Sequence, residues 1–293
     1  MNLSSRLERI VNVLATDIGP RSWQQRDRLD RAAGFIAGEF RAAGYEPRDQ
    51  EFLFCGEPYR NVIAELAGTD PSAQSLVIGA HYDTVETTPG ADDNASGVAC
   101  LLELARTVST MRPTGTIRFV AFVLEEPPAY RTEGMGSYHY AESLKTSGIP
   151  VHGMICLEMV GYFSDRPGSQ SYPLPFFKLK YPSAGNYISF VGNMKSRDFT
   201  LGMARSFQSG TDLPIVTLNA PAVVFGIDLS DHWSFNKFGY NALMVTDTAF
   251  YRNPHYHAAS DRPETLDYPR MAKVVEGLAA AVEAWGATAG GAG

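Results

Sequence analysis

Cysteine is scarce in this chain of 293 residues, with only Cys55, Cys100 and Cys156. An odd number and the lack of any CxxC spacing argue against a disulfide framework or a zinc ribbon and read as reduced thiols packed in a core. Long apolar runs are also missing. None approaches the roughly 18 to 20 residues that a membrane-spanning helix needs. Residues 1–22 interrupt Leu3, Leu7, Ile10 and Leu14 with Arg6, Glu8, Arg9 and Asp17, where a secretory leader carries an unbroken apolar stretch. The expectation is a soluble, cytoplasmic protein with no membrane partner. No block of Lys or Arg occurs, and 25 basic against 32 acidic side chains leave a net charge of −7. Phosphate-backbone binding requires clustered cations, which argues against a nucleic-acid partner. A GxSxG turn is absent too, and the serine-hydrolase class loses its support with it.

What is present is a core. Hydrophobic residues make up 44% of the chain and charged residues 19%, which is too apolar for a disordered segment. Helical spacing of apolar residues predicts two opening helices, over residues 4–17 and from about 24 to 44. Short β-branched or aromatic runs predict strands over 61–66, 75–80, 116–124, 154–159, 187–191 and 242–246. Helix-like stretches lie over 95–109, 135–146, 197–208 and 269–285. The alternation predicts an α/β fold: a single three-layer domain over residues 1–293, with a mostly parallel mixed sheet between helices. The N-terminal helices, 1–44, are expected to pack on it, and the Gly/Ala tail, 287–293, to fray. Residues 164–185 are rich in Pro, Gly, Ser and aromatics, too long for a passive connection and too apolar for a linker, and are expected to shape a site.

Chemistry-bearing residues gather where the strands end. Strand 75–80 delivers His81 and Asp83 on the same side of the chain. The imidazole can bind a metal while a nearby carboxylate holds its tautomer. GADDNASG, residues 90–97, puts Asp92 and Asp93 at the mouth of a helix, where capping is the competing role. Strand 116–124 ends in Glu125 and Glu126 before Pro127 and Pro128. Abutting acids at the end of a buried strand need a cation or a shared proton unless the turn is solvated. Glu158 stands inside the apolar run GMICLEMVGY, where core packing does not explain it. After the last strand, DTAFYRNPHYHAASD carries His255 and His257. Strand termini on one edge of an α/β sheet converge where such folds bind ligands. Two histidines and three carboxylates form a mixed N/O set that suits zinc, with cobalt or manganese as substitutes. One carboxylate is left over as a base, which completes the inventory of a two-metal hydrolase.

In the ordered series HYD at 81–83, GADDNASG at 90–97, EE at 125–126, LEMVGY at 157–162 and YH at 256–257, the chain resembles the zinc-dependent peptidases of the M28 type. These include bacterial leucyl aminopeptidases and the glutamate carboxypeptidase II group. The resemblance implies two zinc ions, with His81 binding one, His257 the other, Asp93 bridging both, and Glu126 and Glu158 completing the shells. It implies Glu125 as general base toward a metal-bridging water, Asp83 as the residue that orients His81, and a cis peptide between Asp93 and Asn94. It also implies a substrate pocket lined by Asp231 and His232 of the SDHW segment; Tyr256 or another nearby hydroxyl is expected to donate to the oxyanion. Many members carry Asp where this chain has Glu158. The implied activity is that of a metallopeptidase acting on a peptide or amino-acyl amide, most simply an aminopeptidase. Carboxypeptidase action and a glutaminyl-cyclase-like acyl transfer with one zinc are the alternatives on the same fold. A noncatalytic binding module is disfavoured because all five candidate ligands and the candidate base are present.

Overall fold

The computed structural model describes residues 1–173, 175–221 and 223–288. Eight strands lie in those residues: β1 (Arg48–Phe54), β2 (Glu57–Leu66), β3 (Ser75–His81), β4 (Ile117–Phe122), β5 (Val151–Glu158), β6 (Ile188–Asn193), β7 (Ile215–Ala220) and β8 (Ala242–Thr246). They form one mixed sheet in the order β1-β2-β4-β3-β5-β8-β6-β7. The central neighbours β4, β3, β5 and β8 run parallel. An antiparallel pair, β1 and β2, extends the sheet beyond β4, and β6, antiparallel to β8, carries β7 parallel to itself at the other edge.

The principal helices are α1 (Leu3–Asn12), α2 (Arg26–Ala42), α3 (Gly97–Val108), α4 (Gly136–Thr146), α5 (Arg197–Gly210), α6 (His232–Lys237) and α7 (Tyr268–Thr288). Alternation along β3 sorts them into layers. Leu76, Ile78 and Ala80 point into a core shared with α1, α2, α3, α5 and α7, whereas Val77 points into a second core with α4 and α6. A sheet covered on both faces needs apolar side chains at successive positions, and every residue of β3 and of β8 is buried.

The predicted strands and the long helices are all present. Two strands and one helix were not predicted. β1 reads RDQEFLF with no buried residue: it lies at the sheet edge, where Phe52 and Phe54 turn only partly inward and Arg48, Asp49 and Glu51 mask the pattern. β7 is the opposite edge and only half-buried throughout. The helix α6 is short enough that the SDHW segment reads as a loop. In the tail, Ala287 and Thr288 still belong to α7, and residues 289–293 lie outside the described residues. Among the described residues no helix is long and apolar enough to cross a membrane.

Because β3, β4 and β5 run the same way, their C-terminal ends share one edge of the sheet, the edge at which parallel folds bind ligands. The chain leaving them carries His81, Glu125 with Glu126, and Glu158. The segment after the parallel neighbour β8 carries His257.

Candidate metal centre and substrate cavity

At that edge His81 is fully buried. Its Nε2 lies 3.2 Å from Glu158 Oε2, 3.4 Å from Asp93 Oδ1 and 3.9 Å from Glu125 Oε2. None of these contacts has hydrogen-bond geometry, so Nε2 is an orphaned buried nitrogen facing carboxylate oxygens. His257 Nε2 lies 3.1 Å from Asp93 Oδ2 and 3.3 Å from Glu126 Oε1. The two oxygens of Asp93 are therefore divided between the two imidazoles. Two donor sets result, His81–Asp93–Glu158 and Asp93–Glu126–His257, each with one nitrogen and two oxygens within 4.8 Å of one another. His255 turns away, its Nδ1 2.9 Å from Ser260 Oγ.

The surrounding hydrogen bonds fix these side chains through their backbones. The Asp261 carboxylate accepts the N–H groups of Asp92 and Asp93 at 2.9 and 3.1 Å. The peptide between Asp93 and Asn94 is cis. Asn94 then ties this loop to β5, donating to Leu157 O at 2.8 Å and accepting the Met159 N–H at 3.0 Å. Asp83 fastens a second pair of segments, because its carboxylate accepts the N–H groups of Glu125 and Glu126, both at 3.1 Å. His81 Nδ1 is 3.2 Å from the Asp83 carbonyl oxygen and 3.5 Å from its Oδ1, so Asp83 meets the imidazole chiefly through its main chain. Ser230 donates to Glu158 Oε2 at 2.6 Å. Left-handed backbone clusters here as well, at Leu124 (φ 63), Met159 (φ 47) and His257 itself (φ 53). Each such residue costs about 1–2 kcal/mol outside glycine, and such strain concentrates at functional sites.

The charges are strongly perturbed. Burial works against a charged His81, but Glu158 and Glu125 outweigh it and hold its pKa well above the ordinary value. Burial also opposes the charge on His257, yet Asp93 and Glu126 raise it to about 10. The same contacts, His257 first, hold Asp93 below the usual carboxylate range in spite of its burial. Glu126 is pushed up to about 7 by burial and by Asp93. Burial lifts Glu125 well above its ordinary value, with His81 opposing. Carboxylates this close in a dry site are compensated by a bound cation or by protons held among them.

A cavity of about 310 Å³ opens from these carboxylates. Tyr172, Phe177 and Tyr181 of the 164–185 segment line it, together with Val191, Val216, Leu218 and Met244 from β6, β7 and β8. The long segment thus forms a wall of the cavity. Tyr256 also lines it, its ring stacked on His257 with centroids 3.8 Å apart. Asp231 and His232 do not. Both are fully buried behind the site at the start of α6, where His232 Nε2 reaches Ile227 O at 2.7 Å. Their expected place in the pocket wall is corrected: α6 turns them into the interior, and Ser230 is the residue of that segment that reaches the centre. Ser230 stood within the SDHW segment expected at the pocket but with no role of its own, and Asp261 and Arg21 carried no signal, since each bonds to backbone far away in the sequence. Tyr130, which also lines the cavity, carried no signal of its own.

Comparison with known proteins bears on the family and the fold. The sequence model of peptidase family M28 matches residues 61–282. The uncharacterised Escherichia coli (strain K12) protein YfbL is 40% identical over 281 residues, covering 93% of this chain and 85% of that protein. A probable leucine aminopeptidase of Trichophyton verrucosum is 29% identical over 235 residues, covering 74% of this chain. The match takes in only 56% of that fungal protein's length. Among solved structures, BSAP, a zinc aminopeptidase from Bacillus subtilis, superposes with a TM-score of 0.74 at 16% identity, over 95% of this chain and 94% of that one, a likeness of fold. With a family match across most of its length and two donor sets at the expected strand ends, the chain belongs to peptidase family M28.

Proposed function

We propose that the chain is a zinc-dependent aminopeptidase with two ions per chain, one held by His81, Asp93 and Glu158 and the other by Asp93, Glu126 and His257. The orphaned Nε2 of His81 and the one-nitrogen, two-oxygen composition of each set support the fit, since zinc accepts both donor types in compact sites. Bound there, zinc supplies Lewis acidity toward the scissile carbonyl and acidifies water toward neutrality. Glu125 lines the cavity and belongs to neither donor set. As general base it takes a proton from the attacking water and passes it to the leaving amine as the C–N bond breaks. Burial raises the Tyr256 phenol far above its ordinary pKa. It stays protonated and can donate to the developing oxyanion.

The observation that supports the aminopeptidase reading is the lack of a Lys or Arg side chain among the described residues that line the cavity. The described charged lining consists of Asp93, Glu125, Glu126, Glu158 and His257. Two divalent ions balance the four carboxylates, so what distinguishes the substrates is that a C-terminal carboxylate finds no Lys or Arg to pair with, as a carboxypeptidase pocket would need. Dipeptides with a free N-terminus are expected to be cleaved and their N-acetylated counterparts to be spared; equal cleavage of both overturns the reading. Metal analysis is expected to give two zinc ions per chain, and one would favour the cyclase-like alternative. Zinc uptake must also displace the protons that His81 and His257 carry, so affinity rises with pH. Calorimetry in buffers of different ionisation enthalpy reads those protons, and an affinity independent of pH contradicts the ligand assignment.

The apolar remainder of the cavity supports a large apolar N-terminal side chain. Burying such a side chain is worth about 1.5–3 kcal/mol, so kcat/KM for Phe or Leu substrates is expected to exceed that for Ala by about tenfold or more. Val216→Phe, which fills the cavity, is expected to erase that advantage while leaving the Ala substrate within roughly threefold. A variant that still prefers Phe places the side-chain subsite elsewhere.

A further inference from the structure

Arg21 lies outside the 61–282 span of the family match and is completely buried. Its guanidinium donates to five main-chain carbonyls: from Nε to Tyr82 O at 2.5 Å, from Nη1 to Pro89 O at 2.7 Å, Leu14 O at 3.2 Å and Gly19 O at 3.3 Å, and from Nη2 to Gly90 O at 3.0 Å. Its own backbone adds a reciprocal pair with Thr84, the Arg21 N–H donating to Thr84 Oγ1 at 3.0 Å and the Thr84 N–H to Arg21 O at 3.3 Å. Tyr82 is the residue between His81 and Asp83. Gly90 opens the loop that carries Asp93.

We propose that Arg21 is a positioning residue of the metal centre, one buried guanidinium that sets the spacing between the His81–Asp83 segment and the loop bearing Asp93. The proposal rests on the reading of His81 and Asp93 as ligands. Three features support it. First, the two clamped segments supply one ligand from each side, and Asp93 must reach both donor sets, so a small change in their separation detunes both. Second, the loop closes onto the clamp without slack. Gly90 has φ +66, and a Cβ there would stand 2.3 Å from Thr84 Cγ2 and 2.4 Å from Asp93 O. Third, the geometry requires an arginine. Five planar N–H groups can serve separated carbonyls at once, whereas a lysine ammonium offers three donors at one point. A buried cation is costly to install. The surrounding Asp83, Asp261, Asp93 and Glu126 favour a positive charge at this place, so Arg21 also tempers the acid cluster from behind.

The test measures zinc affinity of the full chain by competition with a fluorescent chelator. Arg21→Lys is expected to bind zinc about 10–100-fold more weakly, the range seen when a residue that holds a metal ligand is lost. Arg21→Ala is expected to regain affinity with ethylguanidinium and not with ethylammonium. A measurement on the unaltered chain guards against variants that fail to fold. Coupling is reciprocal, so zinc must tighten the clamp as the clamp tightens zinc. Adding zinc is therefore expected to slow amide exchange over residues 14–22 at least tenfold more than in α5, which packs on β6 and β7 at the other end of the sheet. Wild-type zinc affinity in Arg21→Lys overturns the inference, as does zinc that protects residues 81–93 without protecting 14–22. A wild-type chain that binds no zinc refutes the reading of the centre itself and the inference with it.

Discussion

Glu125→Gln is expected to keep zinc at the wild-type stoichiometry while kcat falls by about 10²–10⁴-fold, the usual worth of a positioned general base. The substitution is nearly isosteric, and the bond from the Glu125 N–H to Asp83 is a backbone contact that it leaves in place. The nearer Glu125 oxygen stands 3.9 Å from His81 Nε2, farther than the oxygen of either carboxylate in that donor set. Metal retention and loss of turnover should therefore separate. The amide cannot accept the water's proton, whereas the near-isosteric replacement keeps the shape of the cavity that Glu125 lines, so KM is expected to change little. Metal analysis beside steady-state kinetics decides the matter. Activity above about a tenth of wild type removes Glu125 as the base, and lost zinc moves it into the ligand set.

Replacing Asp93 by Ala is expected to abolish activity and to release both ions, whereas His257→Ala is expected to release one. The asymmetry follows from the division of the Asp93 carboxylate, whose Oδ1 faces His81 and whose Oδ2 faces His257. No other residue belongs to both donor sets. In His257→Ala the set of His81, Asp93 and Glu158 is complete, so about one zinc per chain should remain. Zinc content of the two purified variants measures this directly. Two ions in Asp93→Ala would show that the shared carboxylate is dispensable, and an unchanged content in His257→Ala would remove that imidazole from the ligands.

The fold and the donor residues were legible in the sequence for the same reason. Buried parallel strands must be apolar throughout, so a polar residue that interrupts or ends one stands out, as His81, Glu125, Glu126 and Glu158 do. His257 was readable only through the resemblance, since a histidine in a loop carries no such contrast. What stayed hidden acts at long range through the backbone. Arg21 serves carbonyls of residues 82, 89 and 90, Asp261 serves the amides of residues 92 and 93, and no local pattern announces such bonds. Asp231 and His232 failed in the other direction. Two polar residues in a segment with turn composition look exposed, yet α6 buries both, and burial pushes Asp231 up to about 7 and His232 down to about 4. The edge strands escaped because they are at most half-buried, and in β1 only Phe52 and Phe54 mark an inner row among charged neighbours.

The wall segment is anchored at its base and to the chain after β8, where the Ser171 N–H donates to Tyr251 O at 2.7 Å and Gln170 Nε2 to Thr248 Oγ1 at 2.8 Å. Ser164 and Gly185 pair across its base, and Arg252 ties it down by donating to Gln170 Oε1 at 2.8 Å and to Tyr187 O at 2.8 Å. The five proposed ligands, Glu125 and Tyr256 all lie elsewhere in the chain. A chimera that exchanges this hairpin for one of different length should alter which peptides are chosen while leaving the speed of bond cleavage on an alanyl substrate intact. Selectivity and reactivity in this molecule are then separately inherited traits, open to being varied one at a time.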